Sequence, residues 1–126
     1  MSSKSPRCEV DIPLKIEQSK ENIIHYTILA RDNYGRCEMN AYPNTGECLL
    51  HSLFVYKKHR LRGVATKLMK VAEALALKES YKTIHLYVKI ASWRYAWYQR
   101  MGYKDSGTLC QRGYADMVKH LIKNLK

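Results

Sequence analysis

The sequence predicts an α/β fold with a mixed sheet, and three observations carry that expectation. A nearly unbroken apolar run, Cys48 to Tyr56, leads through a basic turn into a helical pattern and then into a second strand-like run, Tyr81 to Val88. Strand, turn, helix, strand in that order describes a parallel crossover, which is right-handed in nearly all proteins. Upstream, the β-branched and aromatic stretch Asn22 to Ala30 and the stretch Cys37 to Tyr42 flank the turn signal Arg31-Asp32-Asn33-Tyr34-Gly35, so they form an antiparallel hairpin.

Each element follows from its own pattern. Residues 1–20 are polar and mixed, contain Pro6 and Pro13, and leave room for one short strand or helical turn. Pro43-Asn44-Thr45-Gly46 is a second turn, and the apolar run after it shows so little alternation that both of its faces are expected to be buried. Val64, Leu68, Val71, Ala72, Leu75 and Ala76 recur at helical spacing, with Lys67, Lys70 and Glu73 on the other side. A second helix runs from Ser92, a capping residue type, to Met101, with Gly102 as its stop. Tyr103 to Cys110 and Ala115 to Ile122 close the chain as an antiparallel pair, with a helix over Met117 to Lys126 as the alternative for the end.

Composition narrows the function classes. With 126 residues, 46% of them hydrophobic, and only 3 Pro and 6 Gly, the chain has the make-up of one globular domain spanning 1–126. No apolar run approaches the roughly 20 residues of a membrane span, and residues 1–7 lead into no signal-type segment, so a cytoplasmic protein without a membrane partner is expected. Cys8, Cys37, Cys48 and Cys110 form no close pair, which signals neither a zinc knuckle nor a redox pair; no metal centre is expected. A formal charge of +11 favours anionic partners, and its clustered part is Lys57, Lys58, His59, Arg60 and Arg62.

That cluster lies where an apolar strand ends and a helix begins at Gly63. The first N–H groups of a helix have no partner within it and the helix dipole adds positive character, so a phosphate placed there meets convergent donors. A P-loop is excluded because GxxxxGK[ST] is absent, and a dinucleotide fingerprint because only Gly63 stands where three spaced glycines are needed. The segment Arg60-Leu61-Arg62-Gly63-Val64-Ala65 resembles the acetyl-CoA-binding motif (Gln/Arg)-x-x-Gly-x-(Gly/Ala) of the GNAT superfamily of N-acetyltransferases. Trp97-Tyr98-Gln99-Arg100-Met101-Gly102-Tyr103 is similar to that family's (Phe/Leu)-Tyr-x-x-x-Gly-(Phe/Tyr) element, and the resemblance covers about Tyr26 to Asp105.

The resemblance implies a splayed central sheet with helices on both faces, and acetyl-CoA as co-substrate for transfer to a primary amine. It implies that Leu53, Phe54 and Val55 line the pantetheine, with a backbone N–H near Leu53 facing the thioester oxygen, and that Arg60, Leu61, Arg62, Gly63, Val64, Ala65 and Thr66 hold the pyrophosphate. Tyr98 occupies the place of the family's general-acid tyrosine; a phenol, with a pKa of about 10, stays protonated at neutral pH and can protonate a departing thiolate. Against this, Tyr98 is one of 10 tyrosines, on a helix that also carries Trp93, Trp97 and Met101.

The family's strand glutamate is missing. His51 and Leu49 stand in its places, so His51 is the candidate proton acceptor, Glu47 the reserve, and an amine arriving already neutral the third choice. A histidine in an apolar strand also suits a hydrogen-bonded core position. Leu61 replaces a frequent glycine, and Ala91-Ser92 stand where an asparagine is usual, with Ser92 as its substitute at the pantetheine. The first 20 residues leave little room for the family's N-terminal helix pair, so the acceptor site is open or is completed by a second subunit of a homodimer. Two rival functions remain: a basic nucleic-acid-binding module, suggested by the charge and by Trp93-Arg94-Tyr95, and a catalytically degenerate fold that keeps CoA as a ligand.

Overall fold

The computed structural model describes residues 10–18, 22–30, 34–57 and 63–121. The elements are β1 (Val10–Gln18), β2 (Ile24–Ala30), β3 (Gly35–Tyr42), β4 (Glu47–Val55), α1 (Val64–Lys78), β5 (Thr83–Lys89), α2 (Trp93–Arg100), β6 (Lys104–Gln111) and β7 (Tyr114–His120). They build one seven-stranded sheet in the order β1-β2-β3-β4-β5-β7-β6, antiparallel except where β4 meets β5. The α/β class, the hairpin and the parallel crossover stand as expected. At the N-terminal end the strand alternative holds, as β1 pairing with β2, and the closing pair is β6 with β7.

Burial alternates along the strands. Tyr26, Ile28, Ala30, Cys37, Met39, Ala41, Cys48, Leu50, Ile84, Leu86, Val88, Ala115 and Met117 are buried, and all but Ala115 belong to a core that also takes Val64, Leu68, Met69, Ala72 and Ala76 from α1. The intervening residues include His25, Glu38, Asn40, His51, His85 and Asp116, none of them buried. Tyr98 and Tyr103 join the same core, Tyr103 donates to Glu73 of α1 (2.9 Å), and Lys119 donates to Glu73 (3.0 Å) and to the Met101 carbonyl (2.9 Å). Both described helices therefore pack on one face, which corrects the expectation of helices on both faces. The reason is topological: β4 to β5 and β5 to β6 step across the sheet in the same direction, and right-handed crossovers in one direction put their helices on one side.

The second correction concerns β4. Only Cys48 and Leu50 are buried in it, and from His51 onward its residues are partly or well exposed, Phe54 at 45%. The strand pairs with β5 only through Glu47↔Thr83, Cys48↔Ile84 and Leu49↔His85, after which the two diverge. Across β3 the register passes from Glu38↔His51 to Arg36↔Phe54, so β4 holds one extra residue, and Ser52 takes a left-handed φ of 56°. A bulge of this kind adds twist and turns a strand away from its neighbour. Gly35 makes the other half of the bend: a Cβ there would stand 2.6 Å from the Phe54 carbonyl, so only glycine lets the end of β4 close this tightly on β3.

Candidate functional site

The gap left by β4 and β5 opens into a groove of about 440 Å³. Leu53, Phe54 and Val55 form one wall, Gly63, Val64, Ala65 and Thr66 the end, and Trp93, Arg94 and Trp97 of α2 the opposite side. Seven residues expected at the cofactor are thus brought together. Arg60, Leu61 and Arg62 lie outside the described residues.

At the end of the groove Gly63 precedes α1 with φ 79° and ψ 8°, and no described side chain caps the helix there. A Cβ on Gly63 would meet nothing within 4 Å among the described residues, so they leave the space beside this backbone clear. The first turn of α1 contains no acidic residue, and its positive dipole end therefore meets the groove without a carboxylate to offset it. The chemistry of this end suits a phosphate group.

Three groove residues, Trp93, Arg94 and Trp97, were not singled out as cofactor contacts from the sequence. The Arg94 guanidinium lies 5.0 Å from the centre of the Trp93 ring, and the Trp93 and Trp97 rings meet edge to face at 6.2 Å. Trp93 is 67% exposed. The aromatic and arginine interleaving that suggested nucleic acid therefore lines this groove; the i, i+1, i+4 spacing was the signal available for it.

Ser92 caps α2: its Oγ accepts a hydrogen bond from the Arg94 N–H at 3.2 Å. Tyr98 is buried, with its ring 5.0 Å from Trp97 and 5.9 Å from Tyr103. It is not among the residues that line the groove, but its ring neighbour Trp97 is. Burial pushes its phenol above the usual value, Arg94 pulls it partly back and Cys37 adds a further rise, so the hydroxyl keeps its proton at neutral pH.

His51 lies on the face that no described helix covers, the uncovered face of the described residues, just ahead of the bulge. Its Nδ1 is 3.0 Å from Ser52 Oγ, and its Nε2 is buried with no hydrogen-bond partner among the described residues. Burial lowers its pKa, Glu38 raises it in part, and His25 lowers it again. Glu38, directly opposite on β3, supplies a carboxylate near the place where β4 lacks one. The signal for it was hairpin register, which sequence alone left open. Glu47 stands where β4 is still paired with β5, its carboxylate 3.8 Å from His85 Nε2.

Residues 20–105 match the family described as acetyltransferase (GNAT) domain. The chain belongs to the GNAT acetyltransferases. A comparison with curated proteins finds no match. Among solved structures, the spermidine/spermine N-acetyltransferase SpeG from Vibrio cholerae superposes with a TM-score of 0.68 at 13% identity, over 81% of this chain and 66% of that one. Nourseothricin acetyltransferase gives 0.66 at 18% identity, over 86% and 71%. The PaiA N-acetyltransferase from Thermoplasma acidophilum, solved with coenzyme A, gives 0.65 at 20% identity, over 78% and 60%. At these identities the likeness is one of fold. Family and fold together make the protein an acyltransferase of the acyl-CoA-dependent class, and no described helix is long and apolar enough to cross a membrane.

Proposed function

We propose that this GNAT protein transfers acetyl from acetyl-CoA to a primary amine by direct attack, as a cytoplasmic enzyme of one domain. The observation that carries the reading is the groove itself, where the parted end of β4 and the uncapped, glycine-led start of α1 face each other. A thioester arm laid along Leu53 to Val55 reaches an anion-favouring helix end at Gly63 to Thr66, the layout a pantetheine with a pyrophosphate requires. Free buried thiols at Cys37 and Cys48 suit the reducing cytoplasm.

In this reading the amine nitrogen attacks the thioester carbonyl, and a backbone N–H near Leu53 stabilises the oxyanion. The tetrahedral centre collapses, the C–S bond breaks, the Tyr98 hydroxyl gives its proton to the leaving thiolate, and the surplus proton on the new amide nitrogen returns to the Tyr98 oxygen. His51, held neutral by burial, takes the proton of the incoming ammonium through water. Ser92 acts at α2 first, as its cap, and Arg60 and Arg62 add charge at the pyrophosphate. No described element covers the acceptor face, and in this reading the acceptor enters from that side, with a second subunit as the alternative cover.

The test is mass spectrometry of the purified protein for bound CoA, followed by acetyl-CoA turnover against a panel of amines. Turnover with at least one primary amine is the expected result. Tight CoA binding with no turnover on any amine would favour the degenerate fold, and salt-sensitive nucleic-acid binding without CoA would favour the basic binding module.

A further inference from the structure

On the uncovered face, three adjacent strands bring two imidazoles and a carboxylate to one point. Glu38 on β3 stands directly opposite His51 on β4, and His25 on β2 is diagonal to it, opposite Asn40. One ligating atom from each of His25, Glu38 and His51 lies within 4.8 Å of the others. His25 Nε2 is 3.2 Å from Glu38 Oε1, and the two imidazole rings are 5.7 Å apart, centre to centre.

The hydrogen bonds around the cluster leave ligating nitrogens for its inner side. His25 Nδ1 is 2.5 Å from Asn40 Oδ1, an acceptor, so with the Nδ1–H donating there Nε2 is left facing the Glu38 carboxylate. His51 Nε2 is buried with no hydrogen-bond partner among the described residues. An ion placed among the three groups satisfies all of them. Asn40 in that case does what an outer hydrogen-bond partner does for a metal-bound imidazole, fixing its tautomer and ring angle, and Ser52 Oγ stands in the same relation to His51 Nδ1 at 3.0 Å. Arg36 holds the second Glu38 oxygen from outside at 3.7 Å.

We propose that His25, Glu38 and His51 form a site for a divalent first-row transition ion of the zinc class, with one coordination position open to the uncovered sheet face. Two nitrogens and one carboxylate oxygen with a vacant position is a donor set such ions take. Ligand atoms in a tetrahedral site with bonds of about 2.0–2.1 Å stand about 3.4 Å apart. The His25 and Glu38 atoms are already at 3.2 Å, and all three ligating atoms lie within 4.8 Å of one another. A bound ion engages the lone pair of His51, so ion binding and proton acceptance by His51 exclude one another. This inference stands on the strand face and does not depend on the acetyl-transfer reading.

The experiment uses full-length protein freed of any histidine tag and stripped with chelator. Co²⁺ is titrated and followed by its visible absorption, Zn²⁺ is titrated by calorimetry, and CoA binding is measured on the same samples. One equivalent of each ion is expected to bind, with a four-coordinate Co²⁺ spectrum. His25→Ala and Glu38→Gln should each weaken binding at least tenfold while circular dichroism stays native, and His120→Ala should leave it unchanged. Absence of saturable binding by the unmodified chain, or equal binding by the His25 and Glu38 variants, overturns the proposal. CoA binding without metal binding overturns this site alone, and metal binding without CoA binding overturns the proposed function alone.

Discussion

The two faces of the sheet are built from the same strands and do opposite things. On the covered face, Ile28, Cys37, Met39, Ile84 and Met117 are fully excluded from water beneath α1 and α2. On the other, alternate residues of those strands present His25, Glu38, His51, His85 and Asp116, in pairs that join neighbouring strands. A polar face of that kind is tolerated because His25 with Glu38 and His85 with Asp116 find partners across the strands, which leaves His51 Nε2 as the exception among these described groups. One face fixes the frame, and the other is left with groups that can move protons or hold ions.

The largest effect expected is on the covered side of the groove. Tyr98→Phe keeps the ring against Trp97 and Tyr103 and removes one hydroxyl. Positioned acid catalysis contributes about 10²- to 10⁴-fold, so kcat should fall within that range with little change in the acetyl-CoA KM or in melting temperature. Normal turnover by the Phe variant would leave Tyr98 a packing residue, which its burial also suits.

The next prediction sets the faces directly against each other. Met39→Ala opens a cavity at a fully buried position and should cost about 2–5 kcal/mol in denaturant unfolding. Thr27→Ala, on the other face of the neighbouring strand, should stay within about 0.5 kcal/mol. Equal losses would mean that the second face is covered in solution, and a shift of the Thr27 variant's stability with protein concentration would assign the cover to a second copy.

How far the sequence carried the reading differs in the same way. The frame was legible because burial leaves a period: the α1 pattern and the Tyr81 to Val88 run placed the crossover within a few residues, and Gly63 marked the helix start. The bulge at Ser52 was not legible, since nothing in His51-Ser52-Leu53 requires a left-handed serine; tertiary bending does. The side on which α2 packs depends on strand order, which no local pattern encodes. The His25, Glu38 and His51 cluster is drawn from three strands, and its members become neighbours only once two registers are fixed.

A third prediction addresses the end of the groove. Gly63→Ala places a side chain at φ 79°, a conformation costing an L-residue about 1–2 kcal/mol, so stability should fall by that amount although the Cβ meets no atom of the described residues. If this backbone approaches the pyrophosphate, the methyl group also intrudes on the ligand, and CoA affinity should drop tenfold or more by calorimetry. A folded Ala variant with unchanged CoA affinity would move the cofactor elsewhere.

The smallest expected effect separates two roles for one hydroxyl. Ser92 Oγ accepts the Arg94 N–H at the start of α2, and α2 is only 8 residues long, so the cap is a sizeable part of its end-on satisfaction. Ser92→Ala should therefore cost about 1 kcal/mol of unfolding free energy, in the range of other N-cap losses. Asp in its place keeps an acceptor for the same N–H and adds negative charge at the positive helix end, so Ser92→Asp should restore that stability. CoA affinity tells the roles apart. If the hydroxyl serves the cap alone, the Ala variant binds CoA as the unmodified protein does once both are fully folded. If it also donates to the pantetheine, affinity falls in both variants, because a carboxylate cannot donate, and Ser92→Asp would then be stable yet weak for CoA.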